Sequence, residues 1–383
     1  MDAVAEIAAL TAHRGRSAGT DAERRSAVHL RDRLRDLGRE ADLQTVAVRA
    51  RFGLVHAGHA LLAVVGSVAA VESPAVGGAL VLLAALATLL DATNVLQLGR
   101  RLTGRRVSQN VESLEDGGKP GTLVLVAHYD AGRDARAFAL ATRLLRDPWR
   151  ATLLAMLALV ACCALRTLGA EGPALTTVQF VPTVLLILLT TAFADLELSE
   201  VSAGETDNAA GAVTVLRLAD ALGGRLESFD VWVVLTGAQK PFALGMSSWL
   251  KARQAQLDRE RTAVLNVDSI GAGPVTYSRR EGPVMALRSH RQLVRLCEEI
   301  AEDDGNDGAY SARSRIVRER SDAAAAIARG LPALTVSRAG VDRAGAEELD
   351  GAFAFCRELV LRLDAEVGPE LRAELRSAAG SAA

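Results

Sequence analysis

Two pairs of long apolar runs constrain this chain more than any other feature. Leu54–Val71 and Val76–Leu98 are separated only by Glu72-Ser73-Pro74-Ala75, and Ala151–Leu168 and Ala174–Leu196 only by Gly169-Ala170-Glu171-Gly172-Pro173. Each run is near the roughly 20 residues that a helix needs to cross a bilayer. Turns this short make each pair a helical hairpin and leave no room for a folded domain at its far end. A buried helical core is the plainer alternative, but paired runs of this length seldom occur inside one α/β domain. The runs carry blemishes: His56 and His59, Asp91 and Asn94, Gln179 and Pro182. His56, His59 and Asp91 lie close to the arginine-rich ends, so an interfacial location is expected for them. Arg49, Arg51, Arg100, Arg101, Arg105, Arg106, Arg143, Arg146 and Arg150 flank the near side, whereas the two far turns carry only Arg166. The positive-inside bias then places the rest of the chain in the cytoplasm.

The expected organisation is a discontinuous domain in three parts, 1–53, 99–150 and 199–383, interrupted by transmembrane hairpins at 54–98 and 151–198. Within the three parts, helices are expected at about Asp21–Leu37, Asn208–Leu222, Gln292–Glu302 and Glu347–Val367. Strands are expected near Leu43–Val48 and at Thr122–Ala127, Val231–Leu235, Ala263–Val267 and Ala333–Ser337. Continuous apolar strands alternating with amphipathic helices indicate an α/β fold with one sandwiched, mostly parallel sheet. The polar, Arg-rich stretch 303–320 reads as a surface loop. A formal charge of −2 with no basic stripe excludes a nucleic-acid partner. The four cysteines, two in an apolar run and two in helices, fit reduced packing residues rather than a disulfide framework. Met1–Leu10 is too short and too acidic for a signal peptide.

Chemistry-bearing residues fall at strand ends, where open α/β sheets place their sites. His128 directly follows Thr122–Ala127, and Asp130 is placed to accept its second imidazole N–H. Alone, a histidine capping a strand is as ordinary as a ligand. Asp207, opening a helix, reads equally as a helix N-cap. Asp268 ends the strand Ala263–Val267. Buried charges need partners, so three such residues at neighbouring strand ends suggest a shared cation.

The motifs as a set resemble the co-catalytic di-zinc aminopeptidase family (bacterial leucyl aminopeptidase and glutamate carboxypeptidase type, peptidase family twenty-eight). The resembling segments are His13–Thr20, Gln109-Asn110-Val111, Ala127-His128-Tyr129-Asp130, Asp207-Asn208-Ala209-Ala210-Gly211, and Asn266 to Gly271. The closing segment, Ser321-Asp322-Ala323 through Gly330-Leu331-Pro332-Ala333, keeps that family's spacing. The resemblance spans nearly the whole soluble part and implies a three-layer αβα sandwich with a mixed, mostly parallel sheet. It further implies that His128, Asp207 and Asp268 match the ligands of one zinc, with Asp207 bridging to a second.

The departures are as ordered as the matches. Gly237-Ala238-Gln239-Lys240…Gly245 aligns without a gap on the family's Gly-Ala-Glu-Glu…Gly. Gln239 stands at the position of the general base and Lys240 at that of a second-zinc ligand. Ala323 replaces the last histidine ligand. One zinc or none is therefore expected, with Glu205 and His290 as the residues that could fill the gap. The reading is a membrane-anchored, zinc-aminopeptidase-like protein without catalysis, its cleft kept for a peptide, a protein tail or a scaffolding role. The alternatives are an active single-zinc membrane aminopeptidase and a regulatory subunit of a membrane complex or transporter. Asp91 is the only residue that hints at the last.

Overall fold

The computed structural model describes residues 1–93, 95–97, 99–240, 242–282, 286–304, 310–338, 340 and 345–371. Asn94, Leu98 and residues 305–309 of the expected loop lie outside the described residues. The helices are α1 (Ala3–Ala12), α2 (Asp21–Asp36), α3 (Phe52–Ala69), α4 (Pro74–Ala92), α5 (Arg136–Leu145) and α6 (Pro148–Thr167). They continue with α7 (Pro173–Leu198), α8 (Ala210–Leu222), α9 (Leu244–Ala252), α10 (Arg291–Asp304), α11 (Asp322–Ile327) and α12 (Ala346–Arg362). The strands are β1 (Asp42–Val48), β2 (Arg106–Leu114), β3 (Gly121–His128), β4 (Phe229–Thr236), β5 (Thr262–Ile270), β6 (Val275–Glu281), β7 (Leu287–Arg288), β8 (Arg313–Val317) and β9 (Ala333–Arg338). Two compact units result: a sheet domain of residues 1–48, 106–132 and 201–383, and a helical unit of 49–105 and 133–200.

The sheet domain is built on a nine-stranded sheet in the order β1-β2-β4-β3-β5-β9-β6-β7, with β8 paired to β6. Strands β4, β3, β5 and β9 are mutually parallel, while β1, β2, β6 and β7 join antiparallel. The mixed, mostly parallel α/β sandwich expected from the sequence is the observed fold. Alternation along β3 explains its apolar run, because successive side chains face opposite sides. Leu123, Leu125 and Ala127 join one core with Val213, Leu216 and Phe355, whereas Val124 and Val126 join another with Met246, Trp249 and Ala323. A strand buried on both faces has no polar register, so it reads as continuous hydrophobicity.

The Arg-rich stretch 303–320 is not wholly a surface loop. Its residues 313–317 form β8, which pairs in parallel with β6. β8 lies off the main strand path and carries Arg313 and Arg315, a composition that suits a sheet border and hides the strand, while the exposed Arg279 and Arg280 interrupt the pattern of β6. The helical unit is also larger than the apolar runs. Residues 133–150, expected with the sheet domain, belong to it and contain α5.

Helices α3, α4, α6 and α7 are each long and apolar enough to cross a membrane. They pack through small residues: a Cβ on Gly77 would stand 2.4 Å from the Gly66 carbonyl oxygen, so α3 and α4 approach closely only because both positions are glycine. Val68, Leu83, Phe180, Val181 and Leu188 face outward. A soluble core would cover that surface, so the buried-core alternative does not describe these helices.

The blemishes are satisfied from within. Gln179 is buried, donates to the Ser67 carbonyl at 2.6 Å and accepts from Arg166 at 2.7 Å. His56 and Asp91, near the arginine-rich ends of α3 and α4, are buried between helices. His56 Nε2 lies 2.8 Å from Asp91 Oδ2, and Arg100 Nε lies 2.9 Å from Asp91 Oδ1, with all three side chains at most 1 % exposed. An unpaired carboxylate at this burial would be costly. The arginine beyond the end of α4 folds back to pair with it.

Candidate functional site

The carboxyl ends of β3, β4 and β5 converge, and the parallel register sets His128 opposite Thr236. His128 is fully buried. Its Nδ1 lies 3.0 Å from the Asp130 carbonyl oxygen and 3.2 Å from Asp130 Oδ1, and its Nε2 lies 3.2 Å from Asp207 Oδ1 and 3.3 Å from Asp268 Oδ1. Burial alone would lower the imidazole pKa. The Asp268 charge and hydrogen bonds to Asp130, Asp207 and Asp268 outweigh it and hold the pKa well above the ordinary value.

Asp207 is presented by the turn that enters α8, and Asn208 supplies the local fixings. Asn208 Oδ1 accepts from the Gly211 and Ser269 backbone N–H groups at 3.1 Å each, and its Nδ2 donates to the Val267 carbonyl at 2.9 Å. A Cβ on Gly211 would meet Asn208 Oδ1 at 2.0 Å, which explains the glycine three residues on. The capping alternative for Asp207 therefore fails: Asn208 does that work and leaves the Asp207 carboxylate to the site. Ser269, which the sequence did not single out, donates to Asp268 Oδ1 at 3.0 Å.

The turn after β4 carries the substituted positions. Gly237 and Gly245 are forced, since a Cβ on Gly245 would stand 2.0 Å from the Gly237 carbonyl oxygen. Asp130 accepts the Gln239 N–H at 3.2 Å and the Lys240 N–H at 3.0 Å, so one carboxylate positions both His128 and this turn. Lys240 Nζ points inward, 3.0 Å from Asp207 Oδ2, with Glu319 Oε2 at 3.5 Å on its other side. Burial opposes the charges on Asp207 and Lys240, yet their mutual attraction prevails. The Asp207 carboxyl is held far below the usual carboxylate range and the Lys240 ammonium well above its own.

Gln239 is 3 % exposed and its Nε2 donates to the Arg320 carbonyl at 2.9 Å. Ala323 is fully buried in α11, packed with Val124, Val126 and Met246. Beside it Asp322 receives only the Thr236 hydroxyl, at 2.5 Å, and burial pushes its carboxyl up to about 7. Among the described residues the one group of three donors able to hold a metal is His128, Asp207 and Asp268. Neither Glu205 nor His290 joins it. Glu319, between two arginines at 318 and 320, gave no sequence signal.

The family model described as Peptidase family M28 matches residues 187–351, which include Asp207, Gln239, Lys240, Asp268 and Ala323. Over this stretch the chain is similar to peptidase family M28. None of the curated proteins matches the sequence. Among solved structures, the aminopeptidase from Aneurinibacillus sp. strain AM-1 superposes with a TM-score of 0.54 at 12% identity, covering 94% of this chain and 92% of that one. The zinc aminopeptidase of Bacillus subtilis gives 0.51 at 13% identity over 94% and 93%. A glutaminyl cyclase from Tannerella forsythia gives 0.51 at 13% identity over 94% and 97%. Identities this low establish the fold alone, and that fold hosts both a hydrolase and a cyclase.

The metal question can be put to the residues. Donors about 2.0 Å from a tetrahedral zinc lie roughly 3.3 Å apart. The Nε2–Oδ1 separations of 3.2 and 3.3 Å fit such a set at His128, Asp207 and Asp268. At the second metal position that the resemblance implies, the residues present do not fit an ion, because an ammonium (Lys240) and a methyl group (Ala323) stand where two ligands would be needed.

Proposed function

We propose that this M28-like protein does not hydrolyse peptides and that its cleft serves as a binding or scaffolding surface for a peptide or protein segment at the membrane. The observation that carries the reading is the Lys240 nitrogen, 3.0 Å from the carboxylate that the resemblance casts as the inter-zinc bridge. Lys240 and a protonated His128 give Asp207 and Asp268 cationic partners without an ion. At 4 Å and an effective dielectric near 20, an ammonium and a dication repel by about 8 kcal/mol before relaxation. The carboxamide of Gln239 cannot accept the proton of an attacking water. A positioned general base is worth roughly 10²–10⁴ in rate.

Four apolar helices support membrane anchoring, and the arginine asymmetry favours a cytoplasmic sheet domain. Purified full-length protein should carry far less than one zinc per chain and leave aminoacyl chromogenic substrates intact. The triple change Gln239→Glu, Lys240→Glu and Ala323→His should then gain zinc. Stoichiometric zinc in the unaltered protein, lost on His128→Ala together with hydrolysis, would falsify the reading.

That outcome is the second reading, a single-zinc aminopeptidase, and the donor spacing around His128 is what favours it. Zinc held by His128, Asp207 and Asp268 would supply Lewis acidity to a peptide carbonyl. This chain would still have to provide a proton acceptor other than Gln239.

A further inference from the structure

α5 (Arg136–Leu145) belongs to the helical unit but buries none of its residues. Its start is pinned to the last turns of α7, where Asp195 Oδ2 accepts the Ala137 N–H at 2.8 Å and Arg133 Nη1 donates to the Ser199 carbonyl at 2.7 Å. Its end leads through Asp147, whose carboxylate caps α6 by accepting the Arg150 N–H at 3.0 Å. α5 therefore runs from the end of one span to the start of another in the same hairpin. A helix with both ends at one depth lies along the bilayer plane rather than across it.

At about 100° per residue the ten residues divide into three faces. Phe138, Ala141 and Leu145 pack on the unit beside Trp149 and Phe193, with the Phe138 and Phe193 rings 5.8 Å apart. Leu140 and Leu144 form a second face, 57% and 74% exposed. Arg136 and Arg143 form the third, with Arg146 at the cap just past the helix, all exposed and, among the described residues, without an ion pair. Apolar exposure next to cationic exposure, at the ends of membrane spans and beside an aromatic cluster, suits the boundary between acyl chains and headgroups.

We propose that α5 is an interfacial helix that seats Leu140 and Leu144 among the outer acyl methylenes of one leaflet and pairs Arg136, Arg143 and Arg146 with the phosphates of anionic phospholipids. The inference rests on the reading of α3, α4, α6 and α7 as membrane spans, and the test separates the two. Full-length protein with a spin label at Leu144→Cys, Leu157→Cys or Val4→Cys is reconstituted in phosphatidylcholine vesicles with and without phosphatidylglycerol. Collision with oxygen and with a water-soluble nickel chelate then reports depth.

The label at 144 should lie about 5–10 Å below the headgroup boundary. It should be shallower than the label at 157 and at least tenfold less open to nickel than the label at 4. Arg143→Glu with Arg146→Glu should raise nickel access at 144 several-fold in the anionic vesicles and much less in the neutral ones. A label at 144 as wet as that at 4, with 157 deep, overturns the interfacial helix and leaves the spans intact. A label at 157 that is also wet removes both. An unchanged depth at 144 in the charge-reversed variant overturns the phosphate pairing.

Discussion

Two clusters that combine histidine, carboxylate and basic side chains stand in the two units of this chain. In the helical unit His56, Asp91 and Arg100 are at most 1 % exposed and bond to one another. In the sheet domain His128, Asp207, Asp268 and Lys240 converge at strand ends, where Asp207 keeps 39% and Lys240 25% of its side chain exposed. Residue type does not separate a structural set from a functional one. Aim and access do: the first set is closed, whereas the second points three donors at one spot and stays open to solvent.

The sharpest way to break this comparison is to remove one cation from the closed set. Arg100→Leu should destabilise the protein by about 3–5 kcal/mol, read by thermal unfolding in detergent, because it strands a buried carboxylate. Arg100→Leu combined with Asp91→Leu should recover most of that loss. If the single change proves silent, the set is not structural.

Asp322 offers the next largest effect, as a buried acid facing a hydroxyl instead of a cation. Its pKa of about 7 lies above the usual value of 3.8. The folded state therefore binds more protons than the unfolded chain between those values. The contribution to stability is full below about pH 4 and falls by roughly 1.4 kcal/mol per unit as pH rises to about 7. Subtracting the profile of Asp322→Asn from that of the parent by chemical denaturation should return this slope; parallel profiles would show an ordinary carboxyl.

Lys240→Met should cost only about 1 kcal/mol, since its ion pair is partly solvated. Zinc affinity, measured by calorimetry, should nevertheless rise tenfold or more once the competing ammonium is gone. Smallest of all, Arg362→Ala removes exposed pairs with Glu358 and Asp303. It should change the unfolding free energy by no more than about 0.5 kcal/mol, read by chemical denaturation.

What the sequence disclosed follows from where physics leaves a local mark. β3, β5 and β9 are continuous apolar runs because both faces are covered, and Asp207 to Gly211 keeps a glycine that the Asn208 side chain demands. β8 left no such mark, since a border strand tolerates arginine and serine, and in β6 the exposed Arg279 and Arg280 break the apolar pattern. Residues 133–150 cluster with the helical unit because Phe138, Ala141 and Leu145 of α5 pack beside Trp149 and Phe193, contacts that no local pattern announces. At the site the exchanged residues were visible, but the direction of Lys240 was not, nor was its second partner Glu319. Those depend on contacts between segments far apart in the chain. The pairing of His56 and Asp91 was hidden for the same reason: Arg100 lies past the apolar run, and only the fold shows that it turns back.

The sheet domain is cut twice by hairpins, and this sets a schedule for its synthesis. β3 takes both of its neighbours, β4 and β5, from the part of the chain translated after α7. Until the last hairpin has left the ribosome, β1, β2 and β3 have no completed sheet to join, and their apolar edges wait unpaired. Both long apolar hairpins thus emerge before the cleft can close, and a nascent chain stalled before residue 229 holds His128 and Asp207 without the strand and turn that bring Lys240 to the Asp207 carboxylate.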